Sequence, residues 1–358
     1  MRILVIPAAV LALIGGAWFG GESYLARQVQ SALAQSPDLA VETVSPLRDP
    51  TRFGLSLANI SFNDGRSVLT APETRLWISP LSPTTLRADL PPALEIAPVS
   101  AVSPDSSLSG MSLALSDGTL SAKVSPLHDL QLTRLDLGTG AVALNGRDLA
   151  QALSGRAELA ALAHDSPKAA GAAYDLDLAL AALDPEGLPA LSQLRLPEGM
   201  ISADVKGRLW LEDAISPLGG SAPVLVGLRS DHTVLSIGDL KARIIGRLQE
   251  DEAGFVEGAV MIYTADARPL LEFLASLGVI PEKTIPLGMT LLRGISRAGV
   301  GAGLPAANDA ADSTPVEAAP EEGFPLPAAN EIRLPLTFLD GKAMLGPIAL
   351  GPAPRFPR

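Results

Sequence analysis

The stretch LSGMSLALSDGTLSAKV, Leu108–Val124, decides how the chain is to be read. Met111, Leu113 and Leu115 alternate with small residues, Ser116-Asp117-Gly118 supplies turn chemistry, and Leu120, Ala122 and Val124 alternate again. A period of two puts one apolar face on each arm, and a turn tripeptide between the arms spells a β-hairpin. The arms are therefore expected to pair with each other.

The same grammar extends in both directions. Leu130 and Leu132 keep the alternation, whereas Leu135 and Leu137 have the opposite parity. A one-residue slip of this kind marks a bulge. Gly138-Thr139-Gly140 is then read as a turn into Ala141 to Leu144. Upstream, Phe53, Leu55 and Leu57 alternate, Asn63-Asp64-Gly65 reads as a turn, and Val68 to Ile78 is extended. Pro80, Pro83, Pro91, Pro92, Pro98 and Pro104 punctuate the next short extended segments, which suits bulged or edge strands.

Downstream, Gly155 to Leu183 has the Ala and Leu content of a helix. Its Tyr174, Leu176, Leu178 and Leu180 nevertheless alternate with Asp175, Asp177 and Ala179. Strands are expected there, joined by a long loop from His164 to Gly171 that contains Pro167, with Asp148 to Leu153 as a candidate short helix. Pro185 to Gln193 reads as a linker or short helix. Alternation resumes from Ile201 to Leu211, and Leu235 to Leu248 pairs through a Glu250 to Gly254 turn with Phe255 to Thr264.

The period then changes. Leu270, Phe273, Leu274 and Leu277 stand at helical spacing between an Asp266 N-cap and Gly278, and a second helix is expected from Thr284 to Ala298. Gly299 to Gly323 is rich in Ala, Pro and Gly, acidic and without Lys or Arg, the composition of a disordered excursion. Ile332, Leu334 and Leu336, an Asp340-Gly341 turn, and Met344 to Ile348 make a closing hairpin.

At the other end lies Ile3–Phe19, an apolar run without charge. As a helix its roughly 17 residues would span about 25 Å, slightly less than a hydrocarbon core. Arg2 precedes it, and Trp18 and Tyr24 sit where interfacial aromatics belong. This favours an uncleaved signal anchor, N-terminus cytoplasmic and body periplasmic, over a cleaved signal peptide. Leu25, Val29 and Leu33 continue the helix as an amphipathic stem until Pro37.

Composition removes several function classes. A formal net charge of -12 excludes a nucleic-acid scaffold, which needs a basic stripe. With no cysteine there is neither a disulfide framework nor thiolate chemistry. His128, His164 and His232 are far apart and lack metal-ligand neighbours, so no metal or cofactor is expected. Ser230-Asp231-His232 are adjacent, whereas relay members converge from separate segments. Asp175 and Asp177 share one strand face and read as solvated before they read as an acid pair. Arg293 and Arg297 read as a solvated helix face rather than a headgroup site, and Gly299, Gly301 and Gly303 lack the strand and helix that a nucleotide loop needs.

The motif LPLTFLDG, Leu334–Gly341, continued by LGPIALGP, Leu345–Pro352, resembles the C-terminal signature of an uncharacterised family of membrane-anchored, β-rich envelope proteins of Gram-negative bacteria. That family has no established activity, so the resemblance carries no catalytic residues to this chain. Leu240 to Gly258, a strand, a charged turn and a Gly-containing strand before a Leu-rich helix, is more distantly similar to units of AsmA-like proteins. That likeness implies long sheets and envelope lipid traffic.

The expected fold is mainly β, a long curved antiparallel sheet of hairpins with an N-terminal transmembrane helix and two helices in the C-terminal half. Its parts are an anchor and stem over 1–35, a β-rich body over 36–298, the acidic segment 299–323 and a closing hairpin over 324–358. The expected function is non-enzymatic. In it, one apolar sheet face binds or passes lipid, with Met111, Leu113, Leu115, Leu176, Leu178 and Leu180 lining a trough. In a sandwich two such faces would cover each other, but two helices are few to cover so many strands. The alternative is an assembly factor binding another envelope protein, and a periplasmic hydrolase is the weakest reading. The inner membrane, and a lipid or envelope protein, are the expected partners.

Overall fold

The computed structural model describes residues 20–31, 39–63, 67–98, 110–188, 191, 196–216, 223–276, 285–286, 324–328, 331–346 and 348–357. Two helices and nineteen strand segments are built from them. Helix α1 covers 20–31. It is followed by β1 (Leu39–Pro46), β2 (Phe53–Asn63), β3 (Ser67–Ser79), β4 (Ser82–Asp89), β5 (Ala93–Pro98), β6 (Met111–Leu115) and β7 (Thr119–Ser125). Next come β8 (Gln131–Thr139), β9 (Val142–Leu144), β10 (Arg147–Ala150), β11 (Ala152–Ala160), β12 (Ala172–Leu183) and β13 (Ile201–Leu211). The chain continues as β14 (Leu225–Ile237), β15 (Leu240–Glu250), β16 (Val256–Thr264), α2 (Ala267–Ser276), β17 (Ile332–Leu339), β18 (Lys342–Leu345) and β19 (Ile348–Pro352).

All the strands join one antiparallel sheet, and nearly every strand lies beside its neighbours in sequence. The arrangement between β3 and β12 corrects the expected hairpin. Segment β6 does not pair with β7; β6 pairs with β5 and β9, while β7 pairs with β4 and β8. Thus β4–β5, β6–β7, β8–β9 and β10–β11 are each one long strand with a bend, and Ser116-Asp117-Gly118 is a bend rather than a reversal. Leu115 N–H donates to the Pro92 carbonyl at 2.9 Å, and Leu90 N–H donates to the Gly118 carbonyl at 2.8 Å, so the bend stays bonded to the next strand. Gly118 is needed because a Cβ there would come within 2.9 Å of Leu90 Cβ. The strand partner, not the tripeptide, decides whether such a sequence turns or bends.

These bends form a line. Asn59 (φ 50) interrupts β2 opposite Pro72, Leu90-Pro91-Pro92 separates β4 from β5, and Gly140-Ala141 separates β8 from β9. Gln151 separates β10 from β11, and Ala182 (φ 48) sits in the register shift of β12. Pro72, Pro91 and Pro92 therefore occupy a crease where ladder donors are already interrupted. Gly138-Thr139-Gly140, expected as a turn, belongs to this crease. Asp148 to Leu153, a candidate helix, is instead β10 and the start of β11, because Asn145 (φ 52) and Gly146 (φ 78) form a two-residue hairpin turn before it.

Other expectations are met. Thr133 is the extra residue behind the parity slip, bulged between the Lys123–Arg134 and Val124–Leu132 pairs. Strands β11 and β12 pair along their length with the expected loop between them, and a single 3-10 turn spans Pro185–Gly187. Leu235 to Leu248 is not one strand, since Gly238-Asp239 turns β14 into β15. Asp266 caps α2, its Oδ1 accepting from Arg268 N–H at 3.0 Å, and Pro269 falls in the first turn, where a missing N–H costs nothing. Ile3–Phe19, Asp64-Gly65, Leu277-Gly278, nearly all of Thr284 to Ala298 and all of Gly299 to Gly323 lie outside the described residues. No described helix is long and apolar enough to cross a membrane.

One end of the sheet, here the base, carries the β1–β2, β3–β4, β7–β8, β11–β12, β13–β14, β15–β16 and β17–β18 connections. The opposite end is the crown. Helix α1 starts at the base, where the buried Glu22 carboxylate accepts from Arg48 N–H (3.0 Å) and Gly54 N–H (2.9 Å). It runs toward the crown with Ala26 and Val29 packed on Val44, Leu55, Leu57 and Ile60.

Candidate functional site

Alternation sorts the sheet into two chemically opposite faces. On one, the cross-strand partners Arg87, Ser121, Asp136, Arg156, Asp177 and Lys206 form a charged row from β4 to β13. Arg134 and Arg156 each place Nε within 2.8 Å of an Asp136 carboxylate oxygen, and together they hold its carboxyl below the usual range. Asp175 takes two bonds from Arg208, at 2.7 and 3.1 Å, and Asp177 lies 4.0 Å from Lys206. Those two aspartates are thus cross-strand ion partners and not an acid pair. The face is hollowed by a shallow depression of about 510 Å³ bordered by Trp77, Arg87, Thr119, Asp136, Ser154 and Arg156.

The other face is apolar. Leu76, Ala88, Leu120, Leu137, Gly155, Leu178, Val205, Thr233, Ile244, Ile262 and Leu334 are successive partners from β3 to β17. A parallel row runs through Ile78, Leu86, Ala122, Leu135, Ala157, Leu176 and Gly207. What differs along these rows is the covering. At β1–β3, α1 lies on the face. At β14–β19, α2 buries Leu270 and Leu271 against Ile237, Ala242, Ile262 and Leu334. Between them no described helix covers the face. Leu86, Leu153 and Leu178 are 47%, 37% and 40% exposed there.

This window has a frame. Toward the base, residues 212–216 reach across to β8: Leu132 N–H donates to the Ile215 carbonyl at 2.7 Å. Tyr174 Oη donates to the Leu132 carbonyl at 2.9 Å and accepts from Ile215 N–H at 3.1 Å. Burial pushes the Tyr174 phenol up, as expected for a ring with a satisfied hydroxyl under a loop. Toward the crown, Val142, Leu144, Leu149 and Ala150 form a cluster beneath Leu188.

Of the six residues expected to line a trough, Met111, Leu113, Leu115 and Leu180 join this crown cluster as half-buried members. Leu176 and Leu178 lie toward the base from them on β12, with Leu178 the more exposed. All six belong to one face, but only part of the set is open. Leu86 and Leu153 belong to the open part and sequence reading missed them, since Leu86 is a lone leucine among Thr and Arg and Leu153 fell in the supposed helix.

The histidines stay apart. His128 Nδ1 bonds Ser125 Oγ at 2.9 Å, His164 lies in the β11–β12 loop, and His232 sits in a bulge opposite Lys206. Ser230 Oγ is engaged by Thr233 and the Ile244 carbonyl, and Asp231 by Arg229. Among the described residues no group of three or more His, Asp or Glu could hold a metal ion. Arg293, Arg297, Gly299, Gly301 and Gly303 lie outside the described residues.

Residues 18–354, which include all nineteen strand segments and both helices, match a family described as an uncharacterized protein conserved in bacteria (DUF2125). The chain belongs to that family. No curated protein and no solved structure matches it. Family membership therefore supplies no activity, and the window has to be interpreted from its own chemistry.

Proposed function

We propose that the chain is a non-enzymatic envelope protein, held at the inner membrane by Ile3–Phe19, whose periplasmic sheet takes lipid acyl chains on the open apolar window. The observation that carries this reading is the framed window itself, in which Leu86, Leu153 and Leu178 stay exposed while both flanking parts of the same face are covered by helices. A contiguous apolar area left in water is unfavourable by about 25 cal/mol per Å² and marks a binding surface. Its lining of Leu, Ala, Val and Gly lacks rings and charges, which suits a flexible hydrocarbon chain that needs no fixed polar partner. An AsmA-like role in moving lipid between membranes is consistent with one long meander of strands.

The test is to purify the full-length protein from membranes in mild detergent and quantify co-purifying lipid by mass spectrometry. Wild type should retain lipid, and a Leu176→Glu/Leu178→Glu variant should lose most of it while keeping its strand signature. Equal retention in the two proteins contradicts the reading.

A second reading, binding to another envelope protein, has one observation in its favour. Among the described residues β1 pairs only with β2, so its outer edge offers an unpaired ladder.

A further inference from the structure

The base of the sheet has a feature that neither the window nor the charged face uses. Ser-Pro-Leu occurs at Ser45-Pro46-Leu47, Ser79-Pro80-Leu81, Ser125-Pro126-Leu127 and Ser216-Pro217-Leu218. The first three open the β1–β2, β3–β4 and β7–β8 connections, all at the base. In the fourth, Pro217 and Leu218 lie outside the described residues; Ser216 Oγ donates to the Asp129 carbonyl at 2.6 Å, which sets Ser216 beside the β7–β8 tip.

At Pro80 and Pro126 the proline presets the turn and cannot extend the ladder, so Leu81 and Leu127 are thrown beyond the last strand pair, whereas Leu47, whose N–H donates to the Gly54 carbonyl at 3.0 Å, stays half-buried against β2. Leu81 is 97% exposed and Leu127 is 90% exposed. A solvent-facing hairpin tip is ordinarily polar, and the crown's Asn145-Gly146 and Gly238-Asp239 obey that rule. The crown's exposed apolar side chains include Met200 at 54%, Phe62 at 46% and Leu326 at 84%, the last in the 324–328 segment held by the Tyr263 Oη to Pro325 carbonyl bond and not on a hairpin tip.

The second observation is where the apolar run must leave the body. Glu22, bonded to Arg48 and Gly54, pins the start of α1 to the β1–β2 tip, and Gly20 is only one residue from Phe19. A bilayer holding Ile3–Phe19 would therefore meet the base, with the β3–β4 and β7–β8 tips facing it.

We infer that the base is a membrane-docking end, with Leu81 and Leu127 inserting into the lipid interface of the bilayer that holds the N-terminal run. Single apolar tips of this kind bind weakly alone, but here they act within a molecule already tethered to the surface. The strands then stand across the membrane plane, and the window opens on a face that rises from the lipid surface toward the crown. This inference rests on the anchor reading for its tether, and the experiment separates the two.

Because the chain has no cysteine, Leu81→Cys, Leu127→Cys and Met200→Cys each give one labelling site on the full chain. Each is labelled with an environment-sensitive fluorophore and reconstituted into phosphatidylcholine vesicles with and without headgroup-region spin-labelled lipid. A parallel sample is washed with carbonate and pelleted. Labels at 81 and 127 are expected to shift to the blue and to lose most of their emission to the spin-labelled lipid, with the label at 200 unaffected. Absence of lipid quenching at 81 and 127 overturns the inference, whether the labels stay in water or are covered by protein. Equal quenching at all three positions overturns it too. Release by carbonate shows instead that the anchor reading fails, and quenching at 81 and 127 before that wash still supports docking.

Discussion

The window strands β4–β13 and the closing strands β14–β19 use one alphabet, leucine and valine on one face against arginine and carboxylates on the other. They differ in what lies on the apolar face. Against the closing strands, α2 inserts Leu270 and Leu271 into a cluster reaching from Ile237 to Phe356. Over the window strands no described helix lies, and Leu178, partnered with Gly155 and Val205, remains 40% exposed. Alternation thus specifies a face but not its fate. The same pattern makes a core where a helix arrives and a ligand surface where none does.

Truncating one leucine in each region should separate the two most strongly. Leu271→Ala should lower stability by about 3 kcal/mol, the usual result of opening a cavity in a packed cluster. Leu178→Ala should cost about 0.5 kcal/mol or less, as at other exposed positions. Denaturant titration of the two variants measures both, and equal losses would mean that the window is packed after all. Within the six-residue set, Leu113→Glu should destabilise more than Leu178→Glu, because Leu113 packs on Val142 and Leu144.

The next effect is at the other covered region. Glu22→Ala should cost about 2 kcal/mol by leaving the buried Gly54 N–H and the part-buried Arg48 N–H unpaired. Amide exchange should accelerate at Arg48 and Gly54 while the closing strands stay protected. Smaller still, Asp266→Ala removes the α2 cap and should lower stability by about 1 kcal/mol, read as a reduced denaturation midpoint.

The smallest effect separates the two faces. Arg134 and Arg156 depress the folded-state pKa of Asp136, so its contribution to stability is present above the unfolded value, about 4, and is lost as pH falls through the lower folded value. Amide exchange at β8 and β11 should therefore rise on acidification below about pH 4, with no matching change in α2.

Much of this was legible in residues alone. The Tyr174 to Leu180 alternation, the Thr133 slip and the Asp266 cap are local signals, decided by the chain within a few residues. Ser116-Asp117-Gly118 was not, because a bend and a hairpin turn use the same residues and differ only in which strand lies alongside. The open part of the window was half legible: period two put Leu176 and Leu178 on the right face. Only the packing of β9, β10 and Leu188 shows that Met111, Leu113 and Leu115 lie in a crown cluster while Leu86 and Leu153 look outward. Leu81 and Leu127 were visible as letters, but their shared end depends on strand order.

Two adjacent positions of β12 test directly whether the apolar face binds lipid. A photo-crosslinking residue at Leu178 points into the window, and the same residue at Asp177 points into the charged row. Irradiation of cells carrying the full-length protein should give lipid adducts at 178 and none at 177, detected by mass spectrometry of the purified chain. Adducts at neither position, or equally at both, would contradict a lipid-binding apolar face.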